Sequence, residues 1–268
     1  MTIKVGVVGA MGRMGKEVVK TVLNDPEMEL VCAIDKFGKG EKITENVIVN
    51  DDINYEIDSK KPDIVVDFTQ PSSIFENAKI YLNKKVTPVI GTTGLSDEQI
   101  AELKNLAKAN NTGCLIAPNF AVGAVLMMMF SQTAAKYFNN AEIIELHHNQ
   151  KKDAPSGTAI KTAQMMAAVN PNMQTGNIKD TELINGARGA LYNNKDGVGN
   201  INIHSVRMPG FVASQEVIFG ANGQTLTIKH DTSNRECFMS GIALAIKYMY
   251  KKDEFIFGLE NILWQNLI

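Results

Sequence analysis

Apolar blocks alternate with amphipathic stretches along the first 118 residues of the chain. Five short apolar runs are typical of strands buried on both faces of a sheet. They are Ile3 to Val8, Leu30 to Ile34, Ile64 to Phe68, Val86 to Ile90 and Cys114 to Ala117. Helical patterns follow the first, third and fourth runs, and the third of these helices opens with a capping box at Ser96 and Gln99. This alternation predicts a parallel sheet with helices on both faces.

The pattern changes after residue 118, where strands begin to follow one another directly. Helices are predicted over residues 123–138 and 156–169, and strands over 141–148, 201–206, 212–219 and 226–230, with a hairpin turn at Gly223. A last helix, residues 235–250, is expected to pack on the first domain. The expected fold is a Rossmann-like doubly wound parallel sheet (residues 1–118 plus 239–268). A second α+β domain (119–238) would carry an open, mainly consecutive-strand sheet.

Composition narrows the class of protein. The 268 residues carry a net charge of −2, so no basic excess is available for binding a nucleic-acid backbone. Three scattered cysteines are too few for a disulfide framework and indicate free thiols in a reducing cytoplasm. No signal peptide is evident, and the uncharged stretch 109–135 is interrupted by a proline, an asparagine and a glycine. We therefore expect a cytoplasmic protein that does not cross a membrane.

The first candidate site is a glycine-rich turn between the first strand and the first helix. Its residues are Gly9, Ala10, Met11, Gly12, Arg13, Met14 and Gly15. Small residues let a pyrophosphate approach the backbone, and the free amides of a helix N-terminus attract its charge. Asp35 ends the second strand, where a carboxylate accepts hydrogen bonds from the adenosine ribose. The strand–turn–helix context predicts dinucleotide binding, whereas the glycine spacing alone would be a weak signal.

The choice between NAD and NADP stays open. Asp35 favours the free ribose hydroxyl of NAD, whereas Lys36 and Arg13 could hold the 2′-phosphate of NADP. Lys36 could equally be an ordinary solvated lysine. Together, Asp35 and Lys36 would allow the protein to use either cofactor.

Three further segments follow predicted parallel strands, at the edge of the sheet where ligands bind in such folds. They are Asp67-Phe68-Thr69-Gln70-Pro71, Gly91-Thr92-Thr93-Gly94 and Ala117-Pro118-Asn119-Phe120. Gly91 and the two threonines offer little bulk, hydroxyl groups and amides beside a nicotinamide ribose. The alternative for the first two segments is an ordinary strand-to-helix loop. In the third, a hinge between the domains could coincide with a cofactor contact.

The most specific segment runs from Glu145 to Ala159. It contains the polar residues His147, His148, Lys151, Ser156, Gly157 and Thr158. The last three start a helix whose amides and hydroxyls form an anion site, and a histidine has an unperturbed pKa near neutrality. Cations and amides gathered this closely suit a substrate with carboxylates. A capped helix in a polar loop is the simpler alternative, and no metal-binding spacing is present.

Other polar or soft side chains have a simpler structural interpretation. His204 and His230 fall within predicted strands, and Arg188 lies in a predicted surface loop. Met127-Met128-Met129 is expected to be adaptable core rather than part of a cofactor site.

These motifs together resemble those of the 4-hydroxy-tetrahydrodipicolinate reductase (dihydrodipicolinate reductase) family. The matching segments are the glycine turn, Asp67-Phe68-Thr69, Gly91-Thr92-Thr93-Gly94, Asn119-Phe120 and, above all, Glu145 to Ala159. They occur in order along essentially the whole chain. The sequence differs from the family pattern at Asp35-Lys36, where many members carry Glu-Arg, and it matches that pattern only loosely over residues 171–199.

The resemblance implies reduction of a cyclic 4-hydroxy dicarboxylic imine to tetrahydrodipicolinate, with loss of water and hydride from NADH or NADPH. It implies proton donor and acceptor roles for His147 and Lys151, substrate contact by His148, and a carboxylate site at Gly157 and Thr158. Residues 9–14, 35–36, 91–93 and 117–120 would line the cofactor. It further implies a homotetramer joined through the second-domain sheet, and no metal.

Two other classes of protein remain as alternatives. One is another two-domain nicotinamide oxidoreductase, such as an amino-acid or semialdehyde dehydrogenase. The latter needs a nucleophilic cysteine, and Cys114 lies in a predicted buried strand. The other is a regulatory protein that senses the cofactor, which the presence of His147, Lys151 and the Ser156 corner disfavours.

Overall fold

The computed structural model describes residues 2–173, 182–193 and 199–265. The chain divides into two compact units. The first unit comprises Met1–Val122 and Arg235–Ile268, and the second comprises Gly123–Asn234. The sequence-based boundaries after residues 118 and 238, and the roles assigned to the two domains, stay predictions.

Strands and helices alternate through the first part of the chain. They are β1 (Ile3–Val8), α1 (Arg13–Asn24), β2 (Met28–Ile34), β3 (Val49–Asn50), α2 (Ile53–Lys60), β4 (Ile64–Asp67), α3 (Pro71–Asn83), β5 (Thr87–Ile90), α4 (Asp97–Asn110) and β6 (Cys114–Ile116). The strands consist almost entirely of buried apolar residues, as both faces of the sheet are covered.

The second unit is contiguous in sequence. Its elements are α5 (Val122–Ala135), β7 (Asn140–His147), α6 (Gly157–Val169), β8 (Ala190–Tyr192), β9 (Ile201–Arg207), β10 (Ala213–Ala221) and β11 (Gln224–Thr232). The sheet order is β11-β10-β7-β9-β8, with β7 and β9 parallel and the other pairs antiparallel. Thus β7 lies between β9 and β10, which are consecutive in sequence. Ile143, Val217 and Phe219 on the covered face form a core with Ala159, Ala163 and Met166 of α6.

The last part of the chain returns to the first unit. It forms a 3₁₀ turn (Arg235–Phe238), α7 (Met239–Met249), β12 (Phe255–Phe257) and α8 (Glu260–Gln265). Strand β12 pairs in parallel with β6 and completes a seven-stranded sheet in the order β12-β6-β5-β4-β1-β2-β3. Because β1 has β2 on one side and β4 on the other, the direction of winding reverses between β1 and β4. That is the point where ligands bind in doubly wound sheets.

The predicted fold class is confirmed, a doubly wound parallel sheet with a second α+β unit. The predicted capping box of α4 and the hairpin turn at Gly223 (φ +77°) are present. Sequence reasoning missed β3, α2, β8, β12 and α8. These elements are short, and β3 has only two residues, so neither a period of 2 nor one of 3.6 has room to show.

Candidate functional site

The glycine turn after β1 has a backbone that only glycine allows. Gly9 has φ +80°, and a Cβ on Gly15 would overlap the carbonyl oxygen of Gly9. Gly12 is the N-cap of α1 and carries no capping side chain. The first amides of α1 are therefore left uncovered by protein side chains, as a phosphate-binding helix terminus requires.

Asp35 holds this turn in place. One carboxylate oxygen accepts a hydrogen bond from the Met11 amide at 2.9 Å, and the other accepts one from the Phe37 amide at 2.9 Å. Each carboxylate oxygen has room for a second donor. Asp35 therefore orders the glycine turn and keeps acceptor capacity for a ribose hydroxyl.

Two cavities adjoin the turn at the reversal point between β1 and β4. The larger, about 650 Å³, is lined by the turn together with Asp35, Lys36, Phe37 and the loop after β4. The smaller, about 290 Å³, lies between Gly12, Arg13 and Met14 on one side and Phe68, Thr69 and Gly91–Thr93 on the other. The structure thus brings most of the predicted cofactor residues around two cavities of the first unit that share Gly12, Arg13, Phe68 and Thr69 in their linings.

A few predicted cofactor residues are not among those that line the two cavities. Ala10 is buried behind the turn, and Ala117 is buried after β6. Phe120 is buried against Phe68, with ring centroids 5.9 Å apart. Pro118 is exposed, and Asn119 accepts a hydrogen bond from the Ala121 amide. Phe120 therefore supports the cavity wall from behind Phe68.

Glu145 organises the predicted substrate segment in the second unit. This carboxylate is fully buried, and it accepts two hydrogen bonds from Arg207, at 2.8 and 2.6 Å. It also contacts His147 Nδ1 at 2.5 Å and accepts from the Ser156 amide at 3.2 Å. Burial acts to raise the pKa of Glu145, but hydrogen bonds from His147, Arg207 and Ser205 outweigh it and lower the pKa to about 2. Glu145 is therefore a permanent anion in the neutral pH range.

The ionised Glu145 carboxylate determines which ring nitrogen of His147 is available to a ligand. An ionised carboxylate can only accept, so His147 Nδ1 carries the hydrogen that points at Glu145. Its Nε2 is left for a ligand, and the ring is mostly shielded from solvent. Lys151 lies in the following loop, with Nζ 2.8 Å from both carboxylate oxygens of Asp153. The Lys151 ammonium holds the pKa of Asp153 below its usual range.

The helix start beside this loop is also held by Glu145 and its partner. Ser156 is the N-cap of α6 and accepts from the Ala159 amide at 3.2 Å, while Arg207 donates to the Asp153 carbonyl at 2.8 Å. A Cβ on Gly157 would meet no protein atom within 4 Å, and its φ is not positive. Neither packing nor backbone strain requires glycine there, which leaves space over the helix terminus for a ligand.

Sequence reasoning did not assign Glu145 or Arg207 a role. A signal for Glu145 was available, because it alternates with Ala141 and Ile143 on the core face of β7, where an unpaired carboxylate does not occur. Arg207 lies opposite His147 in the β7–β9 register but 62 residues after Glu145. No local pattern marks that pairing.

Other polar residues have contacts of their own. His148 is exposed, while His204 contacts Glu142 at 2.8 Å and His230 packs against Gly123. Arg188 lies 3.7 Å from Glu142. In the described ranges, no group of three or more His, Cys, Asp or Glu is placed to hold a metal ion. No helix of those ranges is long and apolar enough to span a bilayer.

Comparison with known proteins identifies the family. The chain is 52% identical over 267 residues to the 4-hydroxy-tetrahydrodipicolinate reductase of Listeria innocua, covering 97% of this chain and 99% of that one. A reductase of the same name from Streptococcus pneumoniae is 49% identical over 263 residues, covering 98% and 100%. The dipicolinate-bound dihydrodipicolinate reductase of a Paenisporosarcina species superimposes with a TM-score of 0.89 at 46% identity, covering 98% and 100%.

More distant structures share the fold alone. An amine dehydrogenase from Mycobacterium smegmatis has a TM-score of 0.64 at 16% identity, covering 94% of this chain and 93% of that one.

The family models for the N-terminus and the C-terminus of dihydrodipicolinate reductase match residues 3–120 and 123–263. The chain therefore belongs to the dihydrodipicolinate reductase family.

Proposed function

We propose that this chain reduces 4-hydroxy-tetrahydrodipicolinate to tetrahydrodipicolinate, a step of lysine biosynthesis by the diaminopimelate route. In the overall reaction one hydride and one proton enter the substrate and one water leaves it. The observation that carries the proposal is the Glu145 cluster, which orients His147 and fixes the start of α6. The cluster occurs in a chain about half identical to reductases of this name.

The start of α6 is suited to a carboxylate of the substrate. Gly157 and Thr158 present their amides at a helix N-terminus, and Ser156 holds that terminus in shape. The space above Gly157 admits a carboxylate oxygen close to the backbone. We assign contact with the same ligand to His148, which is exposed directly after β7.

His147 and Lys151 carry the proton transfers. Glu145 fixes the hydrogen on Nδ1 of His147, so Nε2 is the nitrogen that exchanges a proton with the substrate or its leaving hydroxyl. Lys151, paired with Asp153, supplies a cation beside a dianionic substrate.

The first unit fits NADH or NADPH. The uncovered amides of α1 and the two cavities beside them suit a dinucleotide with its pyrophosphate at the glycine turn. When bound, the reduced nicotinamide supplies the hydride. Asp35 and Lys36, side by side on the larger cavity, provide an acceptor for a ribose hydroxyl and a cation for a 2′-phosphate. We therefore expect both cofactors to be used.

The proposal extends to the assembly. A cytoplasmic homotetramer joined through the five-stranded sheet of the second unit follows from the family resemblance. Strand β11 at the edge of that sheet is largely exposed, including the apolar side chain of Leu226. Light scattering coupled to size exclusion should report four subunits; a monomer would contradict this part alone.

Cys114 does not support the alternative of semialdehyde dehydrogenase chemistry. That chemistry needs a thiolate nucleophile, and Cys114 is fully buried in β6. Burial raises the pKa of the Cys114 thiol, which keeps it protonated and unreactive.

The direct test is a coupled assay. Purified protein with NADH or NADPH should consume the product of dihydrodipicolinate synthase, followed as loss of reduced-nicotinamide absorbance. Absence of turnover with freshly made substrate would refute the proposed function.

A variant pair tests the role of Lys151. Lys151→Ala should lower kcat by about 100-fold or more, the range for a positioned proton-transfer group, and leave the Kd for NADH nearly unchanged. Lys152→Ala, the exposed neighbour, is the control and should keep near-normal kcat. Equal loss of kcat in both variants would point to disruption of the loop instead.

A further inference from the structure

Asp67 is a buried carboxylate that the proposed mechanism does not use. It ends β4 with no exposed surface, and its contacts are all hydrogen bonds from uncharged groups. One oxygen accepts from the Thr69 amide at 2.9 Å and from the hydroxyls of Thr69 and Thr92 at 2.6 and 3.2 Å. The other accepts from Asn77 at 3.1 Å and from the Tyr81 hydroxyl at 2.7 Å.

The described residues place no cation in contact with the Asp67 carboxylate. Within the described ranges, Asp67 forms no ion pair with a lysine, arginine or histidine. The neighbouring Tyr81 is fully buried, and burial together with the Asp67 charge raises its pKa well above the ordinary value, so it stays a neutral donor. A buried charge that is hydrogen-bonded but not neutralised acts over a longer range than an exposed one, because the interior screens it weakly.

This charge lies directly behind the wall of the smaller cavity. Two of the groups that donate to Asp67, Thr69 and Thr92, line that cavity, and so do the adjacent Phe68 and Gly91. The backbone of Asp67 also accepts from the Gly91 amide at 3.0 Å. Asp67 therefore joins the loops after β4 and β5 and places a negative charge behind both. Arg13 lines the same cavity from the α1 side, but it is exposed, so water screens its charge.

The cofactor changes charge during the reaction. Transfer of one hydrogen with two electrons to the substrate leaves the nicotinamide ring cationic, while a proton completes the reduction and one water departs. Any fixed negative charge near the ring therefore interacts more favourably with the oxidised cofactor than with the reduced one.

We propose that Asp67 is a positioning residue that favours the oxidised cofactor, through its buried charge and through its hold on Thr69 and Thr92. This rests on the proposed function, specifically on the nicotinamide half of the cofactor lying along the loops after β4 and β5. The same charge stabilises the positive charge that develops on the ring as hydride leaves.

The test compares the affinities of NADH and NAD⁺ in the full chain without imine substrate. Asp67→Asn keeps the shape and removes the charge. We expect the ratio Kd(NAD⁺)/Kd(NADH) to rise about three- to tenfold over wild type, the scale of one charge interacting across a weakly polar interior. NADH binding is followed by its fluorescence, and NAD⁺ binding by competition. An equal weakening of both cofactors would overturn the proposal and leave Asp67 a structural residue.

Two further variants separate the effect of the Asp67 charge from the effect of its hydrogen bonds. Tyr81→Phe removes one hydrogen bond from the same carboxylate but leaves its charge, so it should lower the melting temperature without changing the ratio. Asp67→Ser removes the charge without placing an amino group against Asn77 and Tyr81, and it serves if the asparagine variant does not fold. Failure of wild-type protein to bind NADH would instead refute the proposed function.

Discussion

Glu145 is the residue on which the predicted substrate cluster depends. Its carboxylate connects strand β7, strand β9 and the start of α6, through His147, Arg207 and Ser156 respectively. A carboxylate buried this completely is tolerated only because charged and polar donors surround it. Removing its charge therefore affects both stability and chemistry.

Glu145→Gln should lower the free energy of unfolding by about 3–5 kcal/mol, because it leaves the Arg207 cation partly buried without its partner. It should also lower kcat, since one amide oxygen replaces the two carboxylate oxygens that accept from His147, Arg207 and Ser156, and the tautomer of His147 is no longer fixed by a charge. Denaturant unfolding and steady-state kinetics measure the two effects. Glu142→Gln is the matched control: Glu142 also lies on β7 and contacts a histidine, but it is well exposed, so its loss should cost less than about 1 kcal/mol.

The lowered pKa of Glu145 predicts a pH dependence of stability. Because the folded-state pKa is about 2 and the ordinary value is 4.5, the stabilisation is present in full above pH 4.5 and is lost as the pH falls towards 2. The shift corresponds to a loss on the order of 3 kcal/mol. Unfolding measured across this range should show a shallower dependence in Glu145→Gln than in wild type; identical slopes would contradict the assignment.

Lys36 bears on the choice of cofactor. Lys36→Ala should raise the KM for NADPH by about tenfold and change the KM for NADH little, because only NADPH carries a 2′-phosphate for it to neutralise. Lys39→Ala is the control, since Lys39 is paired with Asp51 at 2.7 Å and does not line the cavity. If both KM values are unchanged in Lys36→Ala, Lys36 is simply a surface charge.

Residues whose role depends on neighbouring positions in the sequence were predictable. Residues whose role depends on contacts with distant parts of the chain were not. The glycine turn is recognisable from seven consecutive residues, and those of its residues that line the cavities lie together in the structure. The strand-end motif predicts Asp67 only as one of several polar residues, because three of its five donor groups among the described residues come from Asn77, Tyr81 and Thr92 on other elements. The Glu145–Arg207 pair spans 62 residues and has no periodic signature.

At the scale of elements, helices α4 and α6 both begin at a serine N-cap, but the two serines lie in different surroundings. Ser96 caps α4 at the exposed surface within a capping box. Ser156 caps α6 while buried, and its own amide donates to Glu145. The same capping chemistry thus serves stability alone in one helix and the geometry of the predicted substrate cluster in the other.

Alanine at each cap separates these purposes. Ser96→Ala and Ser156→Ala should each lower the free energy of unfolding by about 1 kcal/mol, the usual loss for a serine N-cap. Only Ser156→Ala should also raise the KM for the imine, because the amides of Gly157 and Thr158 lose their fixed direction. Thermal unfolding and steady-state kinetics on both variants provide the comparison. A raised KM in Ser96→Ala would show that capping acts through global stability.

Long elements with a clear period were predicted to within a few residues, while short elements were not. Helix α5 was expected over 123–138 and ends at Ala135. Strand β12 escaped notice because three residues after a charged stretch carry too little pattern, yet Ile256 is buried in the sheet. Its strand conformation comes from pairing with β6, an interaction made across more than 130 residues.

At the scale of the whole molecule, the first unit is built from both ends of the chain. The last segment supplies α7, β12 and α8, with Ile256, Leu259, Ile262 and Leu263 buried. Each fully buried aliphatic side chain contributes about 1.5–3 kcal/mol, so four of them approach the net stability of a typical domain.

Truncation after Tyr250 should therefore abolish cooperative unfolding of the first unit and NADH binding. Loss of β12 also leaves β6 as an unpaired, fully apolar edge, which promotes aggregation. Calorimetry and NADH fluorescence measure the two losses. Trp264→Ala, which alters a half-exposed side chain of α8, should change the free energy of unfolding by only about 0.5 kcal/mol. Full NADH affinity in the truncated chain would show that β12 is dispensable.

The pairing of β12 with β6 also sets an order of events during synthesis. The second unit is one unbroken stretch of chain and has all its strands once residue 232 has emerged from the ribosome. The sheet of the first unit, begun at residue 3, stays incomplete until residues 255–257 appear. Throughout that interval the Cys114–Ile116 edge lacks its partner strand, so the sheet that begins earlier in the sequence is the one that is completed later.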